Sequence, residues 1–396
     1  MDGMDRNWIG MLLTAALSLS SPAFAQATVT QPAPPAPAPA LSPSMTGPLH
    51  LNSNPLHIDG GPLGPIYVSG VISGLGLTQS NHGPSEPSGR IDLSNGMAIV
   101  QTTQGIVQLY AQAGAYSFPS LGVRYFKAKH WVDDSFGVLP VAYVKVAPSD
   151  DFNVQVGKLF TLQGAENAFT FQNFNIERGL LWNQTATINR GVQANYAHGP
   201  LTISVSVNDG FYSTKYNWLS GTLGYALSSK DSITLGAAAN LGHTNKTSFT
   251  TPITLNNGQL YFLSWTHTER QWTIQPYVQL EHVPENDQLG ILNSASSYGA
   301  AILGKYSFNE QWALAARAEW IDSDGSVSNG APSLIYGPGS GAWSFTLTPT
   351  WQKGIWFGRA EGSYVRAKGT TDGFAFGVNG DKHSQIRGLI EAGIIF

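Results

Sequence analysis

Counting back from Phe396, every second residue, Ile394, Ala392, Ile390, Gly388 and Ile386, is apolar or glycine. The alternation is clearest at Leu201, Ile203, Val205 and Val207 against Thr202, Ser204, Ser206 and Asn208. It recurs at Trp343, Phe345, Leu347, Pro349 and Trp351 against Ser344, Thr346, Thr348 and Thr350. A period of two places one face of a strand against an apolar phase and the other against a polar one. From Ile66 onward it predicts about sixteen strands: 66–79, 96–101, 106–116, 138–147, 152–160, 188–197, 201–208, 217–227, 232–241, 259–267, 271–281, 297–306, 311–321, 342–351, 355–366 and 384–396. Most are near ten residues, the length a tilted strand needs to cross a bilayer.

The connections alternate in length. Short turns are expected at 102–105, 148–151, 198–200, 228–231, 268–270, 307–310 and 352–354. Long ones fall at 80–95, 117–137, 161–187, 242–258, 282–296, 322–341 and 367–383, with a shorter one at 209–216. A soluble sandwich has no reason to keep that order, whereas an outer-membrane barrel has short periplasmic turns and long external loops. Only a closed sheet satisfies every backbone group in lipid. The expected fold is therefore all-β, a transmembrane antiparallel up-and-down β-barrel of about sixteen strands, fourteen to eighteen being compatible with the pattern. Phe396 and Ile394 would then form the terminal assembly signal, although Glu391 stands where many barrel signals carry glycine.

Export is the next expectation. Trp8 to Leu19 is a short apolar run behind Arg6, too short to span a bilayer, and Ala23-Phe24-Ala25 fits a signal-peptidase site. Residues 1–25 read as a signal peptide, with the mature chain beginning at Gln26. Seven prolines, Pro32, Pro34, Pro35, Pro37, Pro39, Pro43 and Pro48, then punctuate an alanine-rich stretch. Residues 26–65 are expected to be a disordered periplasmic leader, its Pro-rich part reaching roughly 70 Å at about 3.1 Å per residue. The barrel is expected at 66–396.

Composition narrows the partners. There is no cysteine, hence no disulfide framework, thiolate metal site or lipidated cysteine. Of 21 basic and 25 acidic residues, one and two fall in the signal, which leaves a net charge of about −3 and argues against nucleic acid. Charged residues are 12% of the chain and the mean hydropathy is −0.09, as expected when an apolar exterior averages with a polar lumen. Trp218, Trp265, Trp272, Trp312, Trp320, Trp343, Trp351 and Trp356 lie near predicted strand ends, where aromatic girdles meet the headgroups.

Around Leu139 to Tyr196 the residues carry a family resemblance. Val156-Gly157-Lys158 ends a strand and leads to Thr161-Leu162-Gln163-Gly164-Ala165-Glu166. Then follow Asn173-Phe174-Asn175-Ile176-Glu177-Arg178-Gly179-Leu180-Leu181-Trp182, Gly191-Val192-Gln193 and Asn208-Asp209-Gly210-Phe211-Tyr212. This resembles the outer-membrane β-barrel porins described as OmpL-like, over about 75 residues and not over the Pro-rich leader. The resemblance implies a barrel and a pore without naming a solute.

A barrel of sixteen strands is too wide for its own side chains to fill. Segment 161–187 is rich in residues that need packing partners: Phe169, Phe171, Phe174, Ile176, Leu180, Leu181 and Trp182. Folded inward, as the third external loop of sixteen-stranded porins is, it would form a pore constriction bearing Glu166, Glu177 and Arg178. On the pore wall the inward rows of the last strands carry Glu281, Glu319, Glu361 and Glu391 with Lys305, Arg317, Arg359 and Arg387. Charges alternating with lipid-facing apolar residues report a hydrated lumen, either as a transverse field or as cross-strand ion pairs.

Catalysis finds no foothold in the sequence. His50, His57, His82, His130, His198, His243, His267, His282 and His383 form no metal-ligand spacing, and no G-x-S-x-G elbow occurs. No metal or cofactor is expected. The reading is an outer-membrane porin for passive diffusion of small hydrophilic solutes, in contact with outer-membrane lipid and the barrel assembly machinery, with room for a homo-oligomer. The alternative is a non-conducting barrel serving as a surface receptor or adhesion scaffold.

Overall fold

In a computed structural model, residues 41–396 are described. The expected signal peptide and the expected mature start at Gln26 lie outside them. The sheet comprises β1 (Leu56–Asp59), β2 (Pro65–Gln79), β3 (Gly89–Thr102), β4 (Val107–Tyr116), β5 (Val141–Val146), β6 (Phe152–Phe160), β7 (Ile188–His198), β8 (Leu201–Asn208) and β9 (Trp218–Ala226). It continues through β10 (Asp231–Asn240), β11 (Gln259–Glu269), β12 (Trp272–Val283), β13 (Ala295–Ser307), β14 (Trp312–Ser323), β15 (Gly341–Lys353), β16 (Trp356–Lys368) and β17 (Ser384–Ile395). Each strand from β2 to β17 pairs antiparallel with its chain neighbour, and β17 returns to β2 with Ile395 opposite Val71. The result is a closed sixteen-stranded barrel.

β1 stands outside that ring and mends its seam. Phe396 exchanges backbone hydrogen bonds with Gly70, and below that point β2 would have an open edge. β1 pairs there, Leu56 with Val68 and Asp59 with Pro65, so the edge is covered by a hairpin.

β3 begins seven residues before its predicted start, for a reason visible in its register. A bulge displaces the pairing with β2 between Ser73 and Gly74, so Asp92 faces Leu75 but Asn95, not Ser94, faces Ser73. The inward row switches from even to odd numbers there, which breaks the period that sequence reading follows. Between β4 and β5 there is no extra strand pair but a short helix α1 (Ala128–Trp131) running into a π-helical turn at Val132–Phe136.

Cross-strand partners Trp312 and Trp351 lie at the short-turn end, and Trp320 and Trp343 at the long-loop end. Trp265, Trp272, Trp312, Trp320, Trp343 and Trp356 are exposed on the outside. Eight residues separate Trp312 from Trp320, about 26 Å at about 3.3 Å per residue. At a tilt of about 40° that is about 20 Å along the membrane normal, close to the apolar height of an outer-membrane barrel. Trp218 departs from the girdle expectation. It is buried in the lumen against Phe211, its indole N–H donating to the carbonyl of Asn256 at 3.1 Å.

Residues 41–51 are not the free tether that proline spacing suggests. They run inside the barrel near its short-turn end as a strap. Ser42 exchanges hydrogen bonds with the Gln101 side chain on β3, and His50 does so with Gln352 on β15. Leu49 is fully buried, packed with Met97, Ile99 and Tyr110, and Met45 and Leu51 flank the same cluster. Three apolar side chains among the prolines give this part of the leader a reason to fold in.

Candidate functional site: the lumen and its inward loop

Segment 161–187 leaves β6 and turns into the barrel, as its aromatic content demands. Phe169 meets the rings of Tyr116 and Phe118 at 5.6 and 5.3 Å on one side. On the other side Phe174, Leu180 and Leu181 pack with Tyr277, Ala301, Leu303 and Ala315 from β12, β13 and β14. Gly179 allows the closest approach: a Cβ there would lie 2.1 Å from the Glu319 carboxylate.

The charges of loop and wall meet each other. Arg317 contacts Glu166 at 2.8 Å and Glu319 at 3.1 Å, and donates to the carbonyl of Glu177 at 2.7 Å. Arg387 contacts Glu177 at 2.7 Å and donates to the carbonyl of Ser120. Glu361 accepts the backbone N–H groups of Ile176 and Glu177 at 2.5 and 3.0 Å, together with the Thr348 hydroxyl. Arg359 donates to the carbonyls of Thr170, Asn173 and Phe174, and lies 3.6 Å from Glu391. Glu391 accepts the Thr170 hydroxyl at 2.7 Å. The wall therefore grips the backbone of the loop as well as its side chains.

This geometry corrects the sequence picture of Glu166, Glu177 and Arg178 as charges facing the permeating solution. All three are buried, Glu177 and Arg178 completely. The reason is desolvation: a charge removed from water must be met by an opposite charge or hydrogen-bonding groups, and the wall supplies them. Arg178 is the exception. Its guanidinium has no hydrogen-bond partner among the described residues and rests against the rings of Phe118 and Trp182, 5.8 and 5.4 Å from their centroids. Burial pushes it down to about 10, so it remains a cation at neutral pH. Burial likewise raises the Glu166 carboxyl, with Arg317 opposing the shift.

Of the eight wall residues named from parity, all lie on inward rows. Glu281, Arg317, Glu319, Arg359, Glu361, Arg387 and Glu391 are buried, whereas Lys305 is half-buried and donates to the carbonyl of Gly47 in the strap at 3.1 Å. Glu281 is apart from the clamp, with one carboxylate oxygen unpartnered. The strap and the loop are joined, since Thr46 and Gly47 donate to the carbonyl of Gln172 at 2.9 and 3.0 Å.

Loop and strap cover the β12–β17 side and leave the opposite wall partly open. There the half-buried inward residues include Lys145, Asn153, Gln155, Asn195, Ser204, Thr222 and Thr234, on β5 to β10. Apart from Lys145, these residues present amides and hydroxyls to the lumen.

A family model described as "Putative beta-barrel porin-2, OmpL-like" matches residues 65–396. The chain belongs to the OmpL-like porin family. Solved structures share its fold. The anion-selective porin from Comamonas acidovorans is 12% identical, with a TM-score of 0.58 over 84% of this chain and 99% of that one. OmpT of Vibrio cholerae is 10% identical, with a TM-score of 0.55 over 87% of this chain and 100% of that one. The outer-membrane channel DcaP of Acinetobacter baumannii is 10% identical, with a TM-score of 0.54 over 84% and 97%. A sequence search of curated proteins returned no match. This OmpL-like porin is a protein of the bacterial outer membrane, with its girdled exterior in lipid.

Two features of the lumen escaped sequence reading. Lys145 sits on the inward row with Tyr143, between outward Val144 and Val146, a parity that was available in the sequence but not taken up. The strap carried only Leu49 and its apolar neighbours as a signal, beneath a stronger proline pattern.

Proposed function

We propose that this OmpL-like porin is a passive diffusion channel for small hydrophilic solutes, with its bore narrowed by segment 161–187 and the strap 41–51. The observation that carries the reading is the asymmetric lumen: one wall clamped to the loop, the other presenting half-buried amides and hydroxyls from β5 to β10. The charges of Glu166 and Glu177 serve in this reading to hold the constriction in place. The chemistry is that of a conduit and not of an enzyme. The porin and channel descriptions of two structural relatives fit it, as does family membership.

Purified, folded protein in a planar bilayer is the test. Discrete conductance steps, with sugar-dependent swelling of loaded liposomes, are expected. A barrel that shows heat-modifiable migration yet remains electrically silent would overturn the channel and favour a surface scaffold.

A further inference from the structure

Ion pairing in the lumen is lopsided. The carboxylates on the inward strand rows between the aromatic girdles, Glu281, Glu319, Glu361 and Glu391, are all buried, as are Glu166 and Glu177 on the loop. Arg317, Arg359 and Arg387 are buried beside them. Nearer the external end, Arg190 pairs with Asp209 at 2.6 Å and Arg90 with Glu86 at 3.4 Å, while Asp92 accepts from the Tyr125 hydroxyl and the Ala128 N–H. At the opposite rim, Asp151 is engaged by His198 at 2.8 Å.

Three half-buried lysines extend from the barrel wall, and the Lys158 ammonium is already held by the carbonyls of Phe136 and Leu139 at 3.0 and 2.9 Å, beside the Tyr212 ring, which leaves those of Lys145 and Lys305. Among the described residues neither Lys145 nor Lys305 has a carboxylate within 4.0 Å. Both are half-buried, so both retain contact with solvent. Lys145 is next to last in β5 and Lys305 lies two residues from the end of β13, so each is close to a short turn. Eight places apart in a ring of sixteen, β5 and β13 are opposing walls. Five carboxylates and four guanidiniums make up the clamp and Glu281 stands apart from it, so at most two net negative charges remain, all of them buried.

We propose that Lys145, with Lys305 facing it, makes the channel prefer anions over cations. The inference rests on the porin reading and specifies the solutes it favours: those bearing a carboxylate, phosphate or other negative group. Solvent-accessible charge governs a permeating ion because field lines through water reach it directly. Carboxylates already matched by guanidiniums present only a weak residual field. Lys305 contributes less, since the Gly47 carbonyl occupies part of its donor capacity.

Reversal potentials across a KCl gradient decide the matter. The unaltered protein should favour chloride over potassium. Lys145→Gln should lower the permeability ratio about twofold or more at about 0.1 M salt, where the screening length is about 10 Å. Lys145→Glu should move the preference to cations, and Lys145→Arg should keep it on anions. Arg366→Gln, on the outward row of β16, should leave the ratio unchanged. Conducting protein that prefers potassium, or a Lys145→Glu channel with an unaltered ratio, would overturn the inference while leaving the porin reading intact. Absence of any conductance from the folded barrel would overturn both.

Discussion

Arg359 shows how one side chain can hold an entire loop. Its guanidinium donates to three consecutive-turn carbonyls, those of Thr170, Asn173 and Phe174, and faces Glu391 from within the wall. Arg359→Gln would leave acceptors without donors and Glu391 without its counter-charge, and breaking a buried pair in this way costs about 3–5 kcal/mol. The expected result is a lower midpoint of heat modification on gels. Glu166→Gln and Glu177→Gln should act in the same manner, with stability changing more than ion selectivity. Alternation in the sequence identified Arg359 and Glu391 as inward residues because parity fixes which face a side chain takes. It gave no account of what lies opposite, since the partners come from a loop about 190 residues earlier whose path no local pattern encodes.

At the level of elements, the loop and strap are joined through the carbonyl of Gln172 and, in the channel reading proposed above, form two layers of one obstruction. The strap reaches Gln101 on β3, Lys305 on β13 and Gln352 on β15, so it bridges widely separated parts of the ring. Deleting 41–51 is therefore expected to increase single-channel conductance, and deleting 165–180 should do the same if the barrel is retained. An unchanged conductance after the first deletion would mean that the strap lies outside the permeation path. The strands themselves were legible almost to the residue where the inward row is continuous: 152–160 and 201–208 coincide with β6 and β8. They were misjudged at β3, where the bulge exchanges the two faces in mid-strand.

For the whole molecule, the alternation of short and long connections carried the fold, because closure and a common membrane orientation force every second connection to the same end. Depth in the bilayer follows from the girdles. Ala316 faces outward midway between Trp312 and Trp320, whereas the native Arg366 pairs with Trp343 at the external girdle. Ala316→Arg should cost about 2–4 kcal/mol, the expense of a cation at mid-membrane, while the same charge at the level of Arg366 is tolerated. Reversible urea titration into lipid vesicles would measure the difference.

The seam between β2 and β17 has a kinetic corollary. Val71 and Ile395 are register partners at opposite ends of the sheet, so the first ring strand to emerge must wait for the last. Closing a chain of that length costs about 5 kcal/mol in entropy, by (3/2)RT ln n for about 320 residues. Until it closes, the growing sheet carries two raw edges, each able to pair with a neighbouring molecule. β1 can shield only the four residues of β2 that it meets, from Pro65 to Val68. The long edge beyond them stays open to intermolecular pairing until closure, so the yield of closed barrels is expected to fall as the concentration of unfolded chain rises.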